Sequence, residues 1–399
     1  MRIVSRSQSL GLCRTFSGSR WLNSRCYATR SFDPLRILFC GSDDFSIASL
    51  KALHEYKLKY PTQISSIDVV CRPGKRVGRG LKKIREMPIK EAASALSLPI
   101  HEIDTFRGWT PPETPYGPIN LIIAVSFGLF VPPRLLNASK YGGLNVHPSL
   151  LPDFRGPAPI HHTLLAGRTK TGVTLQTLDH KSFDHGTILA QTPDPGFDIP
   201  NSDTCTVPEL TSLVSAKGAQ LLFDGIQQGL FVPPVKDAGW AKESETRSFI
   251  HAAKIQPEDR HINWEGWTSV DLNRRNRVLG NLWSRALVAS KSAEEPVVYQ
   301  QKRVILTDVE QVEPPKGSEI FAIVPGLPFA NATCPVEPRK SRSLFVFTKD
   351  GKALLIKSLK VEGEPVAEGL RAAVKARMFG NRSITSEGFE FTPFRNPLV

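Results

Sequence analysis

Three side chains in the middle of this chain have the types and spacing to act on a carbonyl carbon. Asn145 and His147 stand two residues apart in "GGLNVHP". A strand carries residues i and i+2 on one face, so the amide and the imidazole emerge side by side. Asp184 lies in "LDHKSFDHG", between two runs that alternate as strands do, so a loop on a rigid scaffold presents it. An amide N–H and a protonated imidazole can hold a tetrahedral oxyanion, while a carboxylate orients the imidazole or passes protons. No motif sets up a serine or cysteine nucleophile, which favours direct attack by an amine of the substrate over a covalent enzyme intermediate. Each group also has a bland reading: a polar strand end that caps its own loop, and a turn carboxylate.

These residues need a scaffold, and the preceding sequence supplies one. "LRILFCGSDDFSIASLKAL" reads as strand, tight turn and helix, the opening unit of a parallel α/β sheet. "ISSIDVVCR" is a second strand, "PIKEAASALSLPI" a helix stopped by Pro99, and "INLIIAVSFG" a strand apolar on both faces. "GGLNVHP" follows as a further strand, and "APIHHTLLAG" as a helix in which His161 and His162 are structural or surface residues. "TGVTLQTL" and "GTILAQT" pair with each other, and "TVPELTSLVSAKGAQLLFDGIQQG" closes the domain as an amphipathic helix. A nicotinamide oxidoreductase is excluded at the first turn, where Gly41-Ser42-Asp43-Asp44 replaces G-x-G-x-x-G and two carboxylates repel a phosphate.

Beyond this domain "LFVPPVKDAGWAKESETR" reads as a linker, and "WTSVDLNRRNRVLGNLW" as a short helix with a basic face. "PVVYQQKRVILTDVEQV", "SLFVFTKDG" and "KALLIKSLKVEG" alternate as strands of a small β domain, with about five strands expected for a small barrel. The Pro- and Gly-rich residues 314–341 are expected to loop out. The expected division is 1–27, 33–235 and 242–399.

The net charge of +13 is concentrated. Residues 1–32 hold six arginines and no Asp or Glu, are rich in Ser, and lack the apolar core of a secretory signal. They read as a mitochondrial targeting peptide, cut after Tyr27, which places the mature protein in the matrix. A second concentration lies between Cys71 and Lys90, where eight basic residues face one acid in a loop. A polyanionic partner is expected there, against the alternative of plain solvated charge. The six cysteines make no C-x-x-C pair, so neither zinc nor a disulfide framework is indicated. No apolar run approaches the ~20 residues of a membrane span.

Taken together, "NVHPSLLPDFRGPAPI", "TGVTLQTLD" and "FDHGTILAQ" closely resemble the formyltransferase family that uses 10-formyltetrahydrofolate, with its Asn-x-His pair, Ser-Leu-Leu-Pro loop and later Asp-x-Gly. The resemblance implies a Rossmann-like α/β domain in which Asn145, His147 and Asp184 are catalytic and no metal is used. It makes Ser149, Leu150, Leu151 and Pro152 the folate-binding loop. "AVSFGLFVP" resembles the strand and turn that flank the pterin, here Phe127, Gly128 and Leu129. "PGKRVGRGLKKIREMPIKEAA" resembles the basic insertion of the branch that formylates methionine on initiator tRNA. Lys75, Arg76, Arg79, Lys82 and Lys83 would then contact the tRNA. "HINWEGWTSVDL" resembles the same branch's second, OB-like barrel domain, and a monomer is expected. Two rival readings are a formyltransferase or hydrolase working on a small acceptor, and an inactive RNA-binding protein on this scaffold.

Overall fold

Strands apolar on both faces must be covered on both, and "LRILFCG", "ISSIDVVC" and "LIIAV" meet that requirement at the centre of one sheet. The computed structural model describes residues 30–240, 248–289, 299–318, 322, 324–330, 343–385, 388–391 and 393–397. The expected targeting peptide 1–27 lies outside them, as does most of 314–341.

The chain opens with β1 (Leu35–Gly41), α1 (Asp44–Lys59) and β2 (Ile64–Cys71), followed by β3 (Lys75–Val77) and β4 (Lys83–Arg85). Then come α2 (Pro88–Ala95), β5 (Ile100–Glu102), β6 (Leu121–Val125), α3 (Pro133–Ala138) and β7 (Gly143–His147). The first half finishes with α4 (Pro159–Leu165), β8 (Lys170–Thr171), β9 (Thr174–Thr177), β10 (Ile188–Gln191), β11 (Phe197–Asp198) and α5 (Val207–Gln227). The main sheet has the order β10-β9-β7-β6-β1-β2-β5. Its five strands from β7 to β5 are parallel, whereas β9 and β10 run antiparallel. The expected parallel sheet is therefore mixed at one edge.

One core packs α1 and α5 against the face bearing Ile37, Phe39, Ile67, Leu121 and Val146; a smaller one, around Leu38, Ile122 and Phe127, covers the other. Asp43 caps α1 by accepting from the Ser46 amide at 3.1 Å, so the first turn spends its carboxylate on the helix start. Thr206 and Glu209 form a capping box at the start of α5.

The basic segment is a hairpin, not a loop: β3 and β4 pair antiparallel, Lys75 opposite Arg85 and Val77 opposite Lys83. Nor is the stretch after α5 a free linker along its whole length. Phe231 is buried in the first core, the Ala238 amide donates to the Ile188 carbonyl at 2.7 Å, and the Trp240 amide donates to Gln191 at 3.0 Å.

The second half contains α6 (Ser269–Leu279), β12 (Trp283–Ala289), β13 (Tyr299–Val312), β14 (Pro328–Ala330), β15 (Leu344–Phe347) and β16 (Ala353–Val361). It ends with β17 (Ala367–Glu368), α7 (Gly369–Lys375), β18 (Phe379–Thr385) and β19 (Gly388–Phe391). These strands make one antiparallel sheet of eight, where about five were expected, and its end strands β12 and β18 approach each other as in a small barrel. The undercount comes from β12, which follows closely on a helix, from the three-residue β14 inside the Pro- and Gly-rich stretch expected to loop out, and from β17, β18 and β19 near the C-terminus, where no alternating run was read. Trp264 sits fully buried in the second core, its Nε1–H donating to the Ser284 hydroxyl at 3.1 Å.

Helix α6 joins the halves. Val278 and Leu279 enter the first core, and such burial is worth about 1.5–3 kcal/mol for each apolar side chain. Arg277 donates to the carbonyls of Cys205, at 2.9 Å, and Asp203. Arg275 stacks 4.2 Å from the Trp267 ring centre, and Arg274 lies 3.7 Å from Asp271. The basic face of this helix thus serves mainly to dock the two halves.

Candidate active site

The C-terminal ends of β1, β6 and β7 open into a cavity of about 710 Å³, the usual place for a ligand in an open α/β sheet. Asn145 and His147 project from β7 into its wall. Their cross-strand partners on β9 are Gln176 and Thr174, so the four side chains share one face of the antiparallel pair. Asp184 comes from the loop between β9 and β10 and lines the same wall. The structure therefore brings Asn145, His147 and Asp184 together.

His147 is 5% exposed, and both its ring nitrogens have partners. Nε2 stands 3.0 Å from the Phe154 carbonyl, which can only accept, so Nε2 carries a hydrogen. Nδ1 stands 3.4 Å from Asp184 Oδ1, and that contact is favourable when Nδ1 also carries one. The pair thus sets the Nδ1 edge of the imidazole against a carboxylate. Asp184 Oδ2 accepts the Gly156 amide at 3.0 Å, and Oδ1 accepts from Gln176 Nε2 at 3.3 Å. Burial pushes the Asp184 carboxyl up, but His147 and these hydrogen bonds together outweigh it and hold the group below its ordinary value. A carboxylate so held is a weak base, so of its two expected roles the geometry favours orienting His147 over passing protons.

Asn145 donates one amide hydrogen to the Ala124 carbonyl at 2.8 Å and accepts from Gln176 Nε2 at 3.1 Å. These two contacts fix its amide orientation, because a carbonyl must face an N–H. Gln176, 1% exposed, is thus the bridge between Asn145 and Asp184, and the sequence reading missed it. Its only signal was its place two residues after Thr174, on the face of the strand opposite Leu175.

Backbone strain gathers here. Asp184 and Phe154 have φ of 57° and 58°, and Ser126, on the far wall, 49°. Left-handed conformations in non-glycine residues cost roughly 1–3 kcal/mol and persist where the surroundings hold them. Gly186 completes the Asp-x-Gly signal for a steric reason: a Cβ there would stand 1.7 Å from the Thr177 carbonyl oxygen. Asp179 pins the loop by accepting from the Lys181 and Ser182 amides, both at 2.8 Å.

Phe127, Gly128 and Leu129 line the cavity, together with Phe130 and Val131. Ser149, Leu150, Leu151 and Pro152 do not line it. Ser149 is buried with its hydroxyl donating to the Asp153 carbonyl at 2.7 Å, and Leu151 is buried behind it with its amide bonded to Thr174. That segment shapes the loop carrying Phe154 and Gly156, while neighbouring Pro148 faces the cavity. His161, assigned above to structure or surface, also lines it, and burial lowers its pKa. His251, from beyond the linker, contributes to the wall as well.

The hairpin residues lie apart from this cavity. Lys75, Arg76, Lys82 and Lys83 are exposed on β3, β4 and the turn between them, and Arg79 opens the short 3₁₀ turn Arg79–Leu81 at the tip.

The family model described as formyl transferase matches residues 35–204. A mitochondrial methionyl-tRNA formyltransferase of Saccharomyces cerevisiae is 33% identical over 341 residues, covering 76% of this chain and 80% of that protein. A putative methionyl-tRNA formyltransferase of Schizosaccharomyces pombe is 30% identical over 73% of this chain and 83% of its own length. The mitochondrial methionyl-tRNA formyltransferase of Homo sapiens is 33% identical over 66% of this chain, and the match spans 61% of the human protein.

Proposed function

We propose, from the premise that this chain belongs to the methionyl-tRNA formyltransferase family, that Asn145, His147 and Asp184 carry formyl transfer to the α-amine of methionine on initiator tRNA. The enzyme works in the mitochondrial matrix, in keeping with two relatives named as mitochondrial, and supplies formyl-methionyl-tRNA for translation initiation. A folate is the formyl donor, and 10-formyltetrahydrofolate is the form that presents a transferable formyl group; the reading invokes no metal. The mostly apolar cavity walled by Phe127, Gly128 and Leu129 is large enough for a flat heteroaromatic ring system.

The donor supplies the carbon that the amine attacks. As the new C–N bond forms, negative charge develops on the formyl oxygen; when the bond from the formyl carbon to the donor nitrogen breaks, the carbonyl is restored and the proton lost by the attacking amine passes to that nitrogen. Asn145 keeps one amide hydrogen beyond the one given to Ala124, and it is available to that oxygen. His147 adds positive charge beside it. At 3.4 Å the Nδ1–Asp184 contact is longer than the about 2.7–2.9 Å of a tight charge-assisted bond, so its hydrogen can be shared with an arriving oxyanion. Asp184 holds the imidazole in place throughout, and Gln176 keeps both neighbours in register.

Residues 33–235 form the catalytic domain, and residues 242–399 a β domain that contacts the tRNA. Lys75, Arg76, Arg79, Lys82 and Lys83 reach the acceptor end through phosphates, and one monomer suffices for one tRNA. The observation that carries the reading is the His147–Asp184 pair standing beside Asn145 at the ends of the strands. The test uses protein lacking residues 1–27, with 10-formyltetrahydrofolate and three acceptors: methionine-charged initiator tRNA, free methionine and glycinamide ribonucleotide. Formylation of the charged tRNA alone is expected. Transfer to the small acceptor, or donor hydrolysis without transfer, would keep the site and overturn the substrate.

A further inference from the structure

Residues 153–158 lie between the catalytic pair and a segment of the second half, residues 250–252, and bond to both. One edge of this layer holds the chemistry: the Phe154 carbonyl accepts from His147 Nε2, and the Gly156 amide donates to Asp184 Oδ2. The opposite edge is hydrogen-bonded like a short strand. The Phe154 amide donates to the Ile250 carbonyl at 2.8 Å, the Ala252 amide to the Arg155 carbonyl at 2.7 Å, and the Ala158 amide to the Ala252 carbonyl at 3.2 Å. Asp153 closes the ladder, its Oδ1 accepting from the Ile250 amide at 2.9 Å.

The fit is close on both sides. A Cβ on Gly156, at φ 123°, would stand 2.5 Å from the Ala252 carbonyl oxygen. Ala252 is fully buried, and His251 between these two contacts lines the cavity. The Arg155–Gly156 peptide therefore has its N–H committed to Asp184 and its carbonyl to the strap, while Phe154 has its carbonyl on His147 and its amide on the strap. A shift of the strap must move the Phe154 carbonyl or break a buried hydrogen bond.

We propose that residues 250–252 are a positioning strap, through which the second half of the chain sets the orientation of His147 and Asp184. The proposal deepens the functional reading above and rests on it only for the activity readout. The strap touches neither reacting atom; it acts through the loop. Its consequence is that the catalytic domain is incomplete when cut at residue 235.

Asp153 tests this without touching the cavity wall. Asp153→Ala removes the acceptor for the Ile250 amide, whereas Asp153→Asn retains a carbonyl oxygen there. Both lose the ion pair of Asp153 with Arg168, 3.2 Å apart, which Arg168→Ala removes together with the guanidinium that lies 5.5 Å from the Phe154 ring centre. The Asp153→Ala protein is expected to lose about tenfold in kcat with unchanged KM for both substrates, as a small misplacement of catalytic groups does. The ¹⁵N resonances of the His147 ring should move in the same variant. Asp153→Asn and Arg168→Ala should match the wild type in both readouts. The ring resonances are read whatever reaction the wild type performs, so failure of the functional reading is told apart from failure of this one. Unmoved His147 resonances in folded Asp153→Ala, or equal damage in all three variants, would overturn the strap.

Discussion

Two basic stretches look alike in the sequence and have opposite fates in the fold. "KRVGRGLKKIR" forms the β3–β4 hairpin, whose lysines and Arg76 stand in solvent without a carboxylate partner among the ion pairs of the described residues. "NRRNR" lies on α6, where Arg277 binds two carbonyls of the catalytic half, Arg275 stacks on Trp267, and Arg274 pairs with Asp271. Charge composition predicts attraction to a polyanion for both, but only the hairpin leaves its charge free to act. A guanidinium that already serves protein carbonyls works as a structural clamp, and burial pushes the pKa of both Arg275 and Arg277 down.

Removing charge from each region should separate the two roles. Replacing Lys75, Arg76, Lys82 and Lys83 together by Ala should raise KM for charged tRNA roughly a hundredfold and flatten its salt dependence. Thermal unfolding of that variant should match the wild type, since none of these side chains is buried. Arg277→Ala should do the reverse: a loss of about 2 kcal/mol in urea unfolding, from two hydrogen bonds made by a charged donor, with the salt slope of tRNA binding unchanged. If Arg277→Ala flattened the salt slope as much as the hairpin variant, the contrast would collapse. The smallest effect belongs to Arg274→Ala, whose pair with Asp271 is a helical i,i+3 contact worth about 0.2–0.5 kcal/mol. It measures how much of the Arg277 loss is specific to the clamp.

A pH titration sharpens the same contrast between free and committed charge. Asp184 has a folded pKa below its ordinary value, so its contribution to stability is present above the unfolded carboxyl pKa and is lost as pH falls through the folded one. Asp184→Asn should therefore reduce stability near neutral pH and weaken the acid dependence of unfolding, read by urea midpoints from pH 3 upward. The hairpin variant should leave that acid limb where the wild type has it.

Much of the catalytic half was legible because its signals are local. Apolar runs marked β1, β2 and β6, the i, i+2 spacing placed Asn145 and His147 on one face, and the capping pair Thr206 and Glu209 opens the helix expected as α5. What escaped is long-range or has no apolar pattern. Lys75–Val77 and Lys83–Arg85 are three-residue strands exposed throughout, so no alternation announced them. Gln176 matters because of its register against Asn145, which no single strand encodes. The loop "SLLP" carries a family likeness, yet its buried hydrogen bonds turn Ser149 inward, and only the folded loop reveals that. Residues 250–252 reach the site across some hundred positions of chain, with nothing in their own sequence to say so.

The central claim is that His147, held by Asp184 and set beside Asn145, carries the transfer. Its most direct test is single-turnover formylation of methionine-charged initiator tRNA by His147→Ala, with folding checked by near-UV circular dichroism. A folded variant slowed at least about a thousandfold, with tRNA affinity intact, is the predicted result. A folded variant within about tenfold of the wild type would contradict it and move the chemistry to another group in the cavity.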